Sequence, residues 1–296
     1  MTLDDLLEKA AQLENKTVAV AAAEDGEVLE AVKLALEREL ADFMLFGNKE
    51  VIETMLLEKQ IDSRRVTIHH ARSAEQASEA AVKAVFQNEA DVLMKGNVPT
   101  AVILKAVLNK EFGLRTGNIL SHVAVFDVPG YDRYTIVTDA AMNVAPDLQQ
   151  KKQILENSVT VARKIGIEMP KVAPLAAVEV INPAMQATLD AAALTQMNAR
   201  GQIKHCLVDG PLALDNAVSM EAAEHKGIKS GAAGQADILL VPTIEVGNVL
   251  YKSLIYFARA KVGAVIAGAK APIVLTSRAD SAESKLYSLA LAICTS

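Results

Sequence analysis

The sequence predicts an α/β fold of two α/β/α domains with mostly parallel sheets, and three observations predict it. Strand-length apolar runs recur almost from end to end. Segments of ten to twenty residues with helical periodicity stand between most of them. The apolar runs are continuous rather than alternating, as strands covered by helices on both faces require.

In chain order, the predicted strands begin with TVAVAAA (17–23), DFMLFG (42–47), VTIHH (66–70) and DVLMKG (91–96). HVAVFD (122–127) and YTIVTD (134–139) follow, then VAPLAAV (172–178), HCLVDG (205–210) and DILLVP (237–242). VGAVIAG (262–268) and PIVLTS (272–277) complete the set. The clearest helices are SAEQASEAAVKAVFQ (73–87), PDLQQKKQILENSVTVARKIG (146–166), the segment 242–263 and a final helix over 281–294. Strands follow one another closely only at 122–139 and 262–277. Pro129 and Gly130 mark a turn in the first pair, which reads as a hairpin. Both pairs are expected to be crossings between domains. The expected division is residues 1–140 plus 264–296 for one domain and 141–263 for the other.

The 296 residues are 51% apolar, enough for a large core. Only 4% are aromatic, there is no Trp, and the formal net charge is −6. A nucleic-acid surface needs stacking aromatics on a basic face, so a nucleic-acid partner is not expected. A small anion held by a few local cations and backbone donors remains compatible with that charge. Cys206 and Cys294 have no metal-ligand spacing and read as inert core thiols. Met1 is followed by an acidic amphipathic segment, not a leader, and no apolar run could span a bilayer. A reduced, cytoplasmic protein without membrane partners is the expectation.

In open α/β sheets, ligands bind beyond the carboxyl ends of the strands. The polar residues there are Lys95-Gly96-Asn97, Asp127, Asp139, Asp209-Gly210-Pro211, Pro242-Thr243 and Ser277-Arg278. In VLMKGNVPT, Lys95, Gly96 and Thr100 suit either a phosphate at a helix start or an ordinary capped turn. Asp215 reads as the cap of the helix after VDGPLA. Gly247 in a helix interior points to a close approach, because Gly there costs about 1 kcal/mol relative to Ala. Lys252 follows on the same helix as Asn248 and could reach an anion.

The segment VLTSRADSAESK (274–285) carries the strongest local signal. Asp280 with Glu283 fits a capping box for the last helix, and Ser281 is the alternative cap. Neither explains Arg278, which stands at the helix end unfavourable for a cation. An anion bound there removes the conflict, and a guanidinium fork grips two phosphate oxygens at once. Ser277 adds a hydroxyl beside it.

Taken together with DVLMKGNVPT (91–100), GLRTGNILSHVAVFD (113–127), TDAAMNVAPDLQQK (138–151), VDGPLALDNA (208–217), ADILLVPTIEVGNVLYKSL (236–254) and GAVIAGAKAPIVLTSRADS (263–281), the chain resembles the phosphate acetyl/butyryltransferase family. That resemblance implies a fold like the isocitrate and isopropylmalate dehydrogenases, with the active site in an interdomain cleft. It implies reversible acyl transfer between CoA and phosphate, butyryl favoured and acetyl the alternative, with a homodimer or higher homo-oligomer as the working form. CoA is then a substrate, and no cofactor or metal is expected.

By the same resemblance Ser277 and Arg278 match the family's catalytic Ser-Arg pair, and Lys252 the lysine near the phosphate. Ser284 stands where the acetyl-transferring relatives have a carboxylate, seven residues after the Ser, so Asp280 and Glu283 are the candidate bases. Arg115 and Lys95 are candidates for the CoA phosphates. Gly96, Thr100, Ser121, Asn143 and Asn248 complete the expected substrate contacts. A dehydrogenase of the related fold and a non-catalytic CoA-binding domain are the competing readings.

Overall fold

The computed structural model describes residues 2–14, 16–276 and 280–296. The chain forms two compact units. The terminal unit takes Leu3–Asn118 and Val262–Ser296, and the central unit takes Met1–Thr2 and Ile119–Lys261.

The terminal unit opens with helix α1 (Leu3–Ala11), then β1 (Thr17–Ala21), α2 (Gly26–Glu37), β2 (Asp42–Gly47), α3 (Lys49–Glu58), β3 (Val66–His70), α4 (Ala74–Phe86), β4 (Val92–Lys95) and α5 (Thr100–Val107). The central unit holds β5 (Ser121–Asp127), β6 (Thr135–Thr138), α6 (Leu148–Lys164), β7 (Lys171–Pro174), α7 (Gln186–Ala199), β8 (Leu207–Val208), α8 (Leu214–Val218), α9 (Met220–His225), β9 (Ile238–Leu240) and α10 (Ile244–Tyr256). The chain then returns through β10 (Lys261–Ala267), β11 (Ile273–Val274) and α11 (Ala282–Thr295).

In the terminal unit the strand order is β3-β2-β1-β4-β11-β10, parallel except for β10, which runs antiparallel to β11. Val18–Ala21 of β1 and Val92–Met94 of β4 are solvent-free, as the centre of a doubly covered sheet demands. One of the covering helices, α11, buries every residue from Lys285 to Thr295, so it is apolar nearly all round. The central unit orders its strands β5-β6-β9-β7-β8, with β5 antiparallel and the rest parallel.

The close strand pairs are not the crossings. Antiparallel pairing of Val123–Phe126 with Thr135–Thr138 ties both strands of the first hairpin to the central unit. The chain therefore changes unit at 118/119, before the hairpin, rather than near residue 140. It changes back at 261/262, and Ile266 then pairs with Ile273 inside the terminal unit. A crossing within a hairpin would split its ladder, so each crossing precedes one.

Helix starts follow side-chain chemistry. The Asp25 carboxylate accepts from the amides of Glu27 and Val28, and Asp147 forms a full capping box with Gln150. The last helix is capped by Ser281, whose hydroxyl accepts from the Ser284 amide. The expected Asp280–Glu283 box is thus not made, because the helix begins one residue later and puts Ser284 third. Asp215 does not cap either: Ala213 holds that position, and the Asp215 carboxylate accepts from the Asn216 amide.

Candidate active site

The terminal unit places Lys95 and Gly96 at the end of β4. A Cβ on Gly96 would lie 2.1 Å from the carbonyl oxygen of Ala22, so only glycine lets the two strand ends meet this closely. The Gly96 amide donates to Ala21 at 2.8 Å, and the Asn97 amide to Ala22 at 2.6 Å. Lys95 is buried, and its ammonium donates to the carbonyls of Gly96 (3.1 Å) and Val98 (3.3 Å). That amine holds the strand-to-helix turn together. Thr100 is exposed and heads α5 behind Pro99, with no side-chain cap.

Arg115 is exposed, in a short antiparallel bridge with Ala269. Thr116 reinforces that bridge by donating its hydroxyl to Gly268 at 2.6 Å. Ser277 and Arg278 lie outside the described residues. On one side of them, Thr276 is buried, and its hydroxyl oxygen has no partner among the described residues. On the other, the carbonyl of Asp280 accepts from the ammonium of Lys285, a residue only 2% exposed. Glu283 is exposed and 3.2 Å from the Tyr287 hydroxyl, which also lies 2.7 Å from Asp4 of α1. Asp280 and Glu283 are therefore near the start of α11, with Glu283 turned toward Tyr287.

The central unit builds a second group. Asp139, at the end of β6, is buried and accepts from the amides of Ala141 (2.9 Å), Met142 (3.0 Å) and Asn143 (3.2 Å). The Asn143 side chain donates to the same carboxylate at 2.6 Å and to the Leu120 carbonyl at 2.8 Å. Asn143 thus locks this loop. Gly247 of α10 packs on it: a Cβ there would stand 2.7 Å from the Asp139 carbonyl oxygen. The close approach expected at Gly247 is made by backbone.

Asn248 and Lys252 are four residues apart on α10 and both exposed, so they share one flank. Tyr251, next to them on the helix, is edge-on to His122 and Phe126 with ring centroids 5.7 and 5.3 Å away. Ser121 is fully buried and accepts from the Asn157 amide at 2.8 Å, which makes it a structural contact of α6 with β5. The central unit therefore places Asn143 in the loop after β6 and Asn248 and Lys252 on α10, while Ser121 faces α6. Asp139 was visible in the sequence only as a strand-end carboxylate; its organising part depends on the turn of Ala141–Asn143 back onto it.

No group of three or more His, Cys, Asp or Glu side chains among the described residues could hold a metal ion. Cys206 and Cys294 are both buried, and burial pushes each thiol up to about 11. Neither is available as a thiolate nucleophile near neutral pH. Among the described residues, no helix is long and apolar enough to cross a membrane.

The family model described as phosphate acetyl/butaryl transferase matches residues 1–84 and 66–293. The chain belongs to this family. It is 61% identical to a probable phosphate butyryltransferase of Bacillus subtilis (strain 168) over 296 residues, all of this chain and 98% of that one. It is 50% identical to a phosphate butyryltransferase of Clostridium beijerinckii, across 98% of this chain and 96% of the other. Among solved structures, a branched-chain phosphotransacylase from Enterococcus faecalis V583 has a TM-score of 0.85 at 39% identity, covering 95% of this chain and 98% of that chain. A putative 4-hydroxythreonine-4-phosphate dehydrogenase from Salmonella typhimurium matches with a TM-score of 0.61 at 14% identity, over 96% of this chain and 100% of that chain, a likeness of fold alone. The dehydrogenase-type α/β fold and the acyltransferase family expected from the motifs are both found.

Proposed function

We infer that the protein catalyses reversible acyl transfer, acyl-CoA + phosphate ⇌ acyl phosphate + CoA, with butyryl the favoured group and acetyl the alternative. The observation that carries this is the end-to-end identity of 61% with a probable phosphate butyryltransferase.

In the direction of acyl-CoA synthesis, the CoA thiolate attacks the carbonyl carbon of the acyl phosphate. A carbon–sulfur bond forms, the carbon–oxygen bond to phosphate breaks, and phosphate leaves. The thiol proton passes to a carboxylate, with Asp280 and Glu283 the candidates. A tetrahedral oxyanion lies between, and fixed donors that meet it lower the barrier; removing one such donor typically costs about 3 kcal/mol. Arg278 holds the phosphate and offsets its charge as the bond breaks, and Ser277 donates at the reacting carbonyl. Lys252, exposed on α10 beside Asn248, supplies a second cation. Arg115 is the better candidate for a CoA phosphate, because the Lys95 ammonium already faces two carbonyls. Both cysteines are held as neutral thiols, which supports direct transfer between the substrates without an acyl-enzyme. A homodimer or larger homo-oligomer and a cytoplasmic location belong to the same proposal.

The test is phosphate-dependent CoA release measured across a series of acyl-CoA chain lengths. The proposal expects release that requires phosphate and a best kcat/KM at four carbons. CoA release independent of phosphate would contradict it. A maximum at two carbons would replace butyryl by acetyl.

A further inference from the structure

One buried charge in the terminal unit has no part in the scheme above. Lys285, on α11, is only 2% exposed. Its ammonium donates to the carbonyl of Asp280, which is its one side-chain partner among the described residues. Burying an ammonium without a counter-charge is costly. The position on the helix adds to that cost. Helical side chains lean toward the N-terminus, and this one reaches back past the N-cap Ser281, to the positive end of the helix dipole. The residues that follow it on α11, among them Leu286, Leu289 and Leu291, are buried and mostly apolar. A methionine would fill the same space without either cost. Stability alone therefore does not account for a lysine here.

The carbonyl that Lys285 holds stands two residues after Arg278 in the chain. Ser281 comes next and caps α11, its hydroxyl accepting from the Ser284 amide at 3.2 Å. Ahead of Ser277, Val274 of β11 pairs with Met94 of β4. Thr276 is 8% exposed, and its hydroxyl oxygen has no partner among the described residues. The chain therefore enters residues 277–279 from a buried position and leaves them at a carbonyl held by a buried charge. A hydrogen bond from an ionised donor is stronger than a neutral one, and more so away from water.

We propose that Lys285 is a positioning residue for the transfer: through the Asp280 carbonyl it anchors the downstream end of the segment that carries Ser277 and Arg278, and its charge biases the head of α11 toward an anion. This rests on the acyltransferase reading, in which Arg278 holds the phosphate. The ammonium and the helix N-terminus are both positive, and a phosphate offsets both. Lys285 acts through the backbone and by its charge, so phosphate is the substrate that senses it and acyl-CoA is not.

The experiment compares wild-type protein with Lys285→Met, which keeps the bulk of the side chain and removes its charge and its donors. It reads steady-state kinetics with butyryl-CoA and phosphate, melting by circular dichroism, and calorimetric titration with inorganic phosphate. The expected result is a kcat/KM for phosphate lower by about tenfold or more, a KM for butyryl-CoA within about twofold of wild type, and melting at or above that of wild type. A lysine that served the fold alone would give the reverse, a lower melting temperature with the kinetics of the folded enzyme unchanged. A wild-type kcat/KM for phosphate in Lys285→Met overturns the proposal. So does an effect confined to KM for butyryl-CoA. A loss of activity that comes with a lowered or non-cooperative melt assigns the ammonium to the stability of α11 and overturns it as well. If wild-type protein turns over no acyl-CoA, the acyltransferase reading fails, and the titration still decides the role of Lys285. Phosphate bound by wild type and about tenfold or more weakly by Lys285→Met supports it. Equal binding, or no binding to wild type, overturns it.

Discussion

Cys206 and Cys294 show how burial sets the chemistry a side chain can offer. Desolvation disfavours the thiolate, and each folded-state value stands at about 11 against an ordinary 9.0. A thiol whose pKa is raised by folding stabilises the fold fully below the unfolded value and loses that contribution as pH rises through the folded one. Denaturant midpoints should therefore fall from pH about 9 to about 11, more steeply in wild type than in a Cys206→Ala/Cys294→Ala variant. Parallel profiles for the two proteins would contradict this. Both cysteines were legible in the sequence as core thiols, because each lies in an apolar run. Lys95 and Ser121 were less so. Each sits in a motif the family shares, yet the structure turns the Lys95 amine onto carbonyls and buries Ser121 against Asn157. A sequence shows that a polar residue stands at a strand end, but not which neighbour it meets.

Helices α6 and α7 are joined by a contact between elements, the Lys151–Asp190 pair at 2.5 Å. Both side chains are buried, so removing either partner leaves a dry, uncompensated charge, at a cost of about 3–5 kcal/mol. Lys151→Met and Asp190→Ala should each show that loss in chemical denaturation, while Lys151→Met/Asp190→Leu recovers most of it. A double variant as unstable as the sum of the single changes would contradict the pairing. The partners are 39 residues apart, and nothing local in the sequence joins them. Element types, in contrast, were legible from periodicity: the segments 73–87 and 146–166 became Ala74–Phe86 and Leu148–Lys164. Lengths were not. Where the apolar runs 172–178 and 205–210 were expected, the strands are only Lys171–Pro174 and Leu207–Val208. The run continues past β7 because Leu175 is still bridged to Leu212 and donates its amide to the Leu240 carbonyl at 2.8 Å, one residue beyond the regular ladder. The hairpin of β5 and β6 was legible from Pro129 and Gly130, but which unit owns it depends on β6 pairing with β9.

At the scale of the molecule, a chain of net charge −6 handles two anionic substrates. Fields from distant carboxylates are screened beyond about 8 Å at physiological salt, so recognition falls to cations close to the phosphate. Residue order alone proposes Arg278 as the anion ligand, since an arginine ahead of a helix start asks for an anion, and Ser277 and Arg278 themselves lie outside the described residues. The most direct measurement is the kcat/KM for phosphate of Arg278→Ala, alongside its thermal melting. The account predicts a loss of about a hundredfold or more with melting unchanged, because a fixed donor to the reacting charge is gone. Activity within about twofold of wild type would contradict it and remove the guanidinium from the transfer.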